Sequence, residues 1–296
     1  MTATAPPRPA RGAGQMTPGL ARRHLRDRAM TVLLAATVAA TIAVLAWVLV
    51  YVASQGLKYL GPSFFTETPP GDPSQAGGGY GNSIIGSLII VGIATGISVP
   101  LGIAAAVAIA EYGGRLAALA GFLTDVLVGI PTIVIGAFIW ALWVTRFGFS
   151  GLAGAFALAI VMLPLVIRAS AEMLRLVPGS LREASAALGA TQARTVISVV
   201  LPTARSGLIT GVMLAVARAM GETAPLLLTT LGNSLFYQNN PTRPMSTLSL
   251  QIFTDAITGF RAAQARAWAG ALTLIGIVLI LTIAARLISR RAGTMN

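Results

Sequence analysis

The sequence predicts an all-α membrane protein with six transmembrane helices. Hydrophobic residues make up 55% of the 296-residue chain, charged residues make up only 10%, and the mean hydropathy is +0.78. Soluble globular domains carry roughly 25% charged residues, so a chain this apolar could not cover its own surface in water. The apolar residues also fall into long runs separated by polar segments, which is typical of a polytopic membrane protein.

The residue types that are missing exclude several functions. The chain has no cysteine, and its only histidine, His24, precedes the first apolar run. Disulfides, zinc sites and a histidine base inside the membrane are therefore excluded. The only lysine, Lys58, is not preceded by the G-x-x-x-x-G of a P-loop. We expect a protein that is not an enzyme, uses no cofactor and leaves any ATP hydrolysis to a partner subunit.

The first half of the chain predicts a tail followed by three spans. Residues 1–28 are rich in Pro, Gly and Arg and predict a disordered cytoplasmic tail. The apolar run 29–54 exceeds the roughly 7–15 apolar residues of a signal peptide, so it predicts an uncleaved span and the start of a transmembrane domain over 29–290. A polar loop separates it from a second span at 83–110. After a glycine turn, a third span is predicted at 116–145, and it includes Asp125 and Pro131.

The second half predicts three more spans, at 152–171, 206–231 and 267–285, with a second long polar loop over 232–266. An even number of spans places both termini on one side of the membrane. The opposite side holds few basic residues, namely Lys58, Arg146, Arg243, Arg261 and Arg266. Because cytoplasmic loops are enriched in Lys and Arg, we expect both termini in the cytoplasm. The basic residues lie near the ends of apolar runs without aromatic clusters, which argues against a nucleic-acid partner.

A polar segment at 178–202 lies on the cytoplasmic side but is not a span. Ser180 stands three residues before Glu183, which is the capping-box spacing, and predicts a helix over 181–188. Gly189 suits a left-handed helix end, since it has no Cβ to clash. Thr191 can cap a second helix over 192–200, and Pro202 can begin a third. The segment therefore predicts a helix, a glycine corner and another helix, as either a docking element or an interfacial helix pair.

Arg218 and Glu222 are charged residues inside the fifth predicted span. Their spacing, i and i+4, places them on one helical face, and Arg218 lies about 18 Å beyond Ser206, near mid-bilayer. A charged side chain there costs free energy unless it is paired with an opposite charge or hydrated. The two residues are interpreted either as a structural ion pair or as a pore-lining guanidinium that meets an anion, with Glu222 weakening its hold. Arg168 ends the fourth span and could snorkel to the interface. Asp125 is interpreted as either a helix–helix polar contact or an interfacial residue.

Three motifs resemble known permeases. The run E-A-S-A-A-L-G, followed by V-V-L-P, resembles the EAA loop of ABC importer permeases, with Ser185 in place of the second alanine. R-A-M-G-E-T-A-P-L-L-L-T resembles the fifth-span signature of the PstA family of phosphate transport permeases. D-V-L-V-G-I-P-T-I-V-I-G is similar to that family's P-S-I-V-x-G segment, with Thr132 in place of serine. The resemblance covers about residues 80–290.

The resemblance implies a type I ABC importer permease, with the MetI-like fold, that forms half of a pathway for inorganic phosphate. It implies a PstC-like permease as heterodimer partner, a PstB-like ATPase dimer and a PstS-like phosphate-binding protein. The 178–202 segment, hereafter the coupling segment, would contact the ATPase through Glu183, Ala184, Gly189, Leu201 and Pro202. Arg218, Glu222 and Arg168 would line the pathway. The alternative is a stand-alone secondary transporter or channel for an anion, for which inverted repeats would be expected.

Overall fold

The structure, a computed structural model, describes residues 18–293, and every regular element in that range is a helix. The helices are α1 (Pro18–Gly56), α2 (Pro62–Thr66), α3 (Gly81–Tyr112), α4 (Gly114–Gly129), α5 (Thr132–Phe147), α6 (Gly151–Arg175), α7 (Gly179–Ala187), α8 (Gln192–Met220), α9 (Ala224–Leu227), α10 (Leu248–Ala256) and α11 (Arg261–Gly293). Five of the described helices are long and apolar enough to span a membrane, and the bent pair of α4 and α5 provides a sixth span if it is counted as one. The all-α, multi-span fold class is confirmed.

The N-terminal unit, residues 1–51, contains most of α1. The first 17 residues of the predicted tail, 1–28, lie outside the described residues. From Pro18 onwards the chain is helical, so the tail prediction extends too far. The reason is local, because a proline suits the first helical turn and the residues after it are mostly good helix formers. Apolar side chains along α1, such as Trp47 and Val50, are exposed and suited to lipid.

The core of the second unit, residues 52–296, is built by α3, α6 and α8. Ile90 from α3, Leu158 and Met162 from α6, and Met220 from α8 are fully or almost fully buried in one cluster. Small residues on α6, among them Ala155, are also buried and allow neighbouring backbones to approach closely. Packing of this kind stabilises helix association inside a membrane, where the hydrophobic effect contributes little.

The third predicted span, 116–145, is not one continuous helix. α4 and α5 meet at an angle of 102° across Ile130 and Pro131. Proline has no N–H to continue the helical ladder, and it disfavours helical dihedrals in the residue before it. Ile130 accordingly has an extended backbone, with φ −79° and ψ 126°. The predicted span is thus a bent pair of helices in this structure, and Pro131 was the sequence signal for the break.

The fifth predicted span, 206–231, is displaced towards the N-terminus. α8 begins at Gln192 and ends at Met220, and only the short helix α9 follows before residue 231. The predicted second helix of the coupling segment and the membrane helix are thus one element, and Pro202 lies inside it rather than at a new start. A π-turn over Val196–Val200 makes this possible, because the N–H of Leu201 bonds to the carbonyl of Val196 just before the proline, which has no N–H.

The two long polar loops meet at one end of the second unit, around a buried charged cluster. The hydroxyl of Tyr80 donates to Asp255 Oδ2 at 2.6 Å, and Arg266 Nε lies 3.5 Å from the same oxygen. Gln251 donates to the other carboxylate oxygen of Asp255 at 3.0 Å. Burial, followed by the charge of Asp255, raises the pKa of Tyr80, so the phenol stays protonated and able to donate. The cluster connects α10 and α11 to the start of α3.

An arginine groove and the coupling segment as the candidate functional site

Two arginines line one groove between α6 and α8, called the arginine groove below. Arg168 from α6 and Arg218 from α8 both contribute to its wall, and the remaining lining is apolar, including Leu165 and Leu214. The groove has a volume of about 490 Å³. Both arginine side chains are exposed. The structure therefore brings together two predicted pathway residues that lie fifty positions apart in the sequence.

A glycine lets the two helices approach each other beside this groove. Gly211 of α8 faces Ala169 of α6, and a Cβ built on Gly211 would lie 2.8 Å from the Cβ of Ala169. Real Cβ atoms essentially never come this close. Gly211 therefore permits the helix separation that puts Arg168 and Arg218 on one groove.

Arg168 also forms an ion pair with Asp125 of α4. Its Nη2 lies 2.6 Å from Asp125 Oδ1, and the two side chains remain 52% and 69% exposed. The pair joins α4 to α6, as expected for the helix–helix polar contact predicted at Asp125. Arg168 does not snorkel in this structure. Its guanidinium instead donates to Asp125 on a neighbouring helix.

Arg218 and Glu222 do not form the ion pair that was one of the two interpretations of their spacing. α8 ends at Met220 with Gly221 as its cap, so Glu222 lies beyond the helix and the i, i+4 argument fails. Glu222 Oε1 instead accepts a hydrogen bond of 2.8 Å from the hydroxyl of Thr132, the first residue of α5. Within residues 18–293, no carboxylate lies within ion-pair distance of Arg218.

The broken stretch after α8 is held by neighbouring elements. Ser249 of α10 donates to the backbone carbonyl of Glu222 at 2.9 Å. Gly136 of α5 lies against Pro225 of α9, and an added Cβ would be 2.7 Å from the Pro225 Cα. Irregular backbone at membrane depth is tolerated where protein or a polar cavity satisfies it. Glu222 is therefore positioned by α5 and α10 rather than by its own helix.

The coupling segment has the predicted glycine corner. Gly189 has φ +78°, a left-handed conformation that disfavours residues with a Cβ, and Thr191 caps the next helix by accepting from the N–H of Arg194. Both predictions are confirmed. The capping-box prediction was wrong, because α7 begins earlier, with Pro178 at its N-cap and without a side-chain cap. Pro178 displaces Ser180 from the cap position since its fixed φ suits the approach to a first turn.

The first helix of the segment is exposed on nearly all sides. None of the residues in α7 is buried, Glu183 and Ala184 are exposed, and Leu188 is 89% exposed. Pro202 is exposed and Leu201 is half-buried where α8 leaves the segment. An apolar side chain as accessible as Leu188 is suited to contact with another protein.

A buried carboxylate anchors this exposed helix. Glu111, at the end of α3, accepts from Arg182 at 2.6 and 3.0 Å, and its own side chain is only 6% exposed. Arg182 also donates to the carbonyls of Leu174 and Val177, and Gln192 donates to the carbonyl of Glu111. The hydrogen bonds that Arg182 donates to Glu111 raise the pKa of Arg182, so the guanidinium stays charged. The coupling segment is thus fastened to α3 and α6.

Sequence reasoning missed two of these contacts. Glu111 was not singled out from the sequence, and Thr132 was treated only as a motif position. The signal for Glu111 was a lone carboxylate at the end of an apolar run, since such a charge needs a partner. The signal for Thr132 was a hydroxyl directly after Pro131, where a helix start and a side-chain donor coincide. Neither signal identifies the partner residue, which lies 71 positions away for Glu111 and 90 positions away for Thr132.

Known proteins match this chain in sequence and in fold. Residues 98–294 match the family profile "Binding-protein-dependent transport system inner membrane component". The phosphate transport system permease protein PstA of Yersinia pestis is 43% identical over 270 residues, covering 90% of each chain. PstA 1 of Mycobacterium tuberculosis (strain ATCC 25618 / H37Rv) is 37% identical over 277 residues, covering 90% of this chain and 88% of that protein.

Two solved structures share the fold at low sequence identity. A chain of the MetNI methionine ABC transporter, in an inward-facing conformation, superposes with a TM-score of 0.55 at 18% identity, over 71% of this chain and 93% of that chain. A bacterial ABC transporter involved in alginate import gives a TM-score of 0.53 at 15% identity, over 92% and 98%. The predicted MetI-like permease fold is confirmed. The chain belongs to the family of binding-protein-dependent transport system inner membrane components, and within it to the PstA permeases of phosphate transport systems.

Proposed function

We propose that this chain is the membrane permease subunit of an ATP-driven importer of inorganic phosphate and forms half of its translocation pathway. The observation that carries the proposal is the arginine groove, where Arg168 and Arg218 present two guanidinium groups in a chain that belongs to the PstA permeases. A guanidinium is planar and donates two parallel hydrogen bonds that match the oxygens of phosphate. The pathway roles of these residues follow from that chemistry.

Within the groove, Arg218 is the primary anion contact. It has no carboxylate partner in the described part of the chain, so its guanidinium is available. Glu222 lies beyond the end of α8 and outside the groove lining. Its negative charge limits how tightly an anion is held, because a transported ion must bind well enough to enter and weakly enough to leave. Arg168 is the second contact.

Coupling to the ATPase runs through the coupling segment. Glu183, Ala184 and Gly189 form the exposed surface on which a PstB-like ATPase dimer docks, and Leu201 with Pro202 begins the membrane part of the helix. α8 continues from Gln192 to Met220, a length of roughly 42 Å at the usual rise per residue. A push on the coupling segment would therefore reach Arg218 along a single helix.

The remaining partners follow from the same proposal. A PstC-like permease supplies the other half of the pathway, and a PstS-like binding protein delivers phosphate from outside. The ATPase is a separate subunit because this chain has no P-loop. The excess of basic residues on the side of the termini supports a topology in which both termini are cytoplasmic. This orientation puts the coupling segment on the side where ATP is available.

The alternative, a stand-alone anion transporter or channel, makes a different prediction for the isolated chain. It requires that the chain alone move phosphate along a gradient. The membership of the PstA permeases favours the importer instead. Phosphate uptake by liposomes that contain only this chain, without ATP, would support the alternative and contradict the importer.

Replacement of Arg218 by lysine tests the proposal in the complete complex. Arg218→Lys keeps the positive charge but loses the planar fork. We expect uptake of radiolabelled phosphate, per assembled complex in proteoliposomes with binding protein and ATP, to fall roughly tenfold, with assembly unchanged. Arg286→Lys, an exposed position towards the end of α11 outside the groove, is the matched control and should transport normally. Equal uptake by the two variants would contradict the role of Arg218.

A further inference from the structure

Arg168 lies on the walls of two grooves at once. One is the arginine groove shared with Arg218. The other, called the side groove below, lies between α4 and α6, has a volume of about 410 Å³ and is lined by Asp125, Glu172 and Arg175 among others. The guanidinium of Arg168 can therefore serve either groove. In this structure it donates to Asp125, on the wall of the side groove.

The ion pair between Arg168 and Asp125 is weak enough for Arg168 to exchange the carboxylate for another anion. It consists of one contact of 2.6 Å, and both side chains are more than half exposed. Exposed ion pairs contribute little stability, because water competes for both partners. A phosphate oxygen and a carboxylate oxygen are equivalent acceptors for a guanidinium. An anion that enters the arginine groove can thus replace the carboxylate without leaving a cation unneutralised.

We propose that Asp125 is a positioning residue that competes with the transported anion for Arg168. It holds the guanidinium of Arg168 at the side groove while the arginine groove is empty, and it gives the guanidinium up when phosphate enters. The proposal rests on the proposed function of the arginine groove. Asp125 thereby sets how many free cations the groove presents, one before the anion arrives and two once it is bound.

The placement of Asp125 on α4 suits this exchange. α4 is separated from α5 by the 102° bend at Ile130 and Pro131, so Asp125 lies on a helix that runs in a different direction from α5. Without Asp125, Arg168 would carry an uncompensated charge close to Arg218. Two free guanidinium groups would hold an anion more tightly, and a tightly held anion leaves slowly. Asp125 therefore favours release as much as it restrains binding.

Substitution of Asp125 by asparagine tests the competition directly. Asp125→Asn removes the charge but keeps the size and a hydrogen-bond acceptor. In the purified complete complex, without binding protein or nucleotide, we expect the Kd for radiolabelled inorganic phosphate to fall about fivefold, the upper range for an exposed ion pair. The double variant with Arg168→Gln should lose this gain, because the competing cation is gone. Steady-state uptake per complex should fall by a similar factor, since release becomes slow.

The matched control is Glu172→Gln. Glu172 lines the same side groove, but its carboxylate pairs with Arg175 at 3.1 Å rather than with Arg168. Phosphate affinity and uptake of this variant should equal those of the wild type. A similar gain in affinity in both variants would mean that removal of any nearby negative charge raises phosphate affinity through the overall electrostatic potential. That result would overturn the proposal.

The outcomes separate the inference from the function on which it rests. If the wild-type complex takes up phosphate but Asp125→Asn leaves both affinity and uptake unchanged, Asp125 is not a competitor. If Asp125→Asn lowers the yield and the thermal midpoint of the complex while the affinity of the assembled fraction stays normal, the pair is only a helix–helix contact. Either result overturns the inference and leaves the importer intact. A wild-type complex without phosphate uptake would overturn both.

Discussion

Two arginine–carboxylate pairs in this chain have the same shortest distance and opposite surroundings. Arg182 lies 2.6 Å from Glu111, and Arg168 lies 2.6 Å from Asp125. In the first pair the carboxylate is 6% exposed and the guanidinium makes four hydrogen bonds, two of them to backbone carbonyls. In the second pair both side chains are mostly exposed and share one contact. Distance alone therefore does not tell a fixed connection from an exchangeable one.

The difference follows from what else each arginine touches. Arg182 satisfies carbonyls at the C-terminal end of α6, where the last turn leaves such groups unpaired. Removal of its carboxylate would strand a charge in a partly buried site. Arg168 and its carboxylate partner are both more than half exposed, so loss of the carboxylate costs little. The first pair is suited to transmit force between the coupling segment and α3, and the second to change partners during transport.

The largest expected effect is on the fixed pair. Glu111→Gln keeps the shape of the side chain but removes its charge, and loss of one partner of a buried pair costs about 3 kcal/mol. We expect a lower thermal midpoint of the purified complex and weaker retention of the ATPase on copurification. Glu172→Gln breaks the exposed pair with Arg175 on α6. This change should lower the stability of the complex by only about 0.3 kcal/mol. Equal shifts in the two variants would show that the comparison between buried and exposed pairs fails here.

The second prediction concerns the corner beside the fixed pair. Gly189→Val places a β-branched residue at φ +78°, which costs about 1–2 kcal/mol. Membrane insertion should be normal, and ATPase copurification and ATP-dependent uptake should fall. Gly179→Val is the matched control in the same segment, because Gly179 has open space around it and is not left-handed. If both variants retain the ATPase equally, the corner is not required for docking.

The conformation around Gly189 shows which structural features could be predicted from the sequence. Gly189 and Thr191 were predicted correctly because their signals are local: a residue without a Cβ and a hydroxyl at a cap. The broad fold was readable from the apolar runs for the same reason. The displacement of the fifth span was not, since the π-turn over Val196–Val200 carries the helix through Pro202, and proline usually marks a helix start.

The candidate site was less predictable than the fold. Arg168 and Arg218 were identified as charged residues in apolar runs, but their shared groove depends on how α6 and α8 pack at Gly211. The shared helical face of Arg218 and Glu222 was predicted wrongly, because the spacing argument assumes a helix that continues through Glu222, whereas α8 ends at Met220. Partners 43, 71 and 90 positions apart leave no periodic signal in a single sequence.

The third prediction extends the comparison to Glu222. Thr132→Val keeps the side-chain shape but removes the hydroxyl that donates to Glu222 at 2.8 Å. Glu222 is then free to pair with Arg218, and an interaction of about 1 kcal/mol corresponds to roughly fivefold lower phosphate uptake per complex. Thr132→Ser should restore uptake. Thr145→Val, whose hydroxyl bonds only within its own helix, is the control. Loss of uptake in the serine variant would contradict a role for the hydroxyl.

The smallest expected effect is inside the coupling segment, where two hydroxyl groups connect α7 to the start of α8. Ser185 Oγ and Thr195 Oγ1 lie 2.8 Å apart. Ser185→Ala removes this bond, which contributes about 1 kcal/mol, but alanine is the better helix former by about 0.5 kcal/mol. Thr195 can also bond to the carbonyl four residues back, as threonine does in helices.

The net cost of Ser185→Ala should therefore stay near 0.5 kcal/mol. The thermal midpoint of the complex should hardly move, and ATPase retention should be normal, because the variant restores the E-A-A of the family motif. A double-mutant cycle with Thr195→Val measures the bond itself: the coupling energy should be positive and below about 1 kcal/mol. A loss of stability as large as that of Glu111→Gln would mean that this hydroxyl pair, rather than the buried carboxylate, fastens the coupling segment.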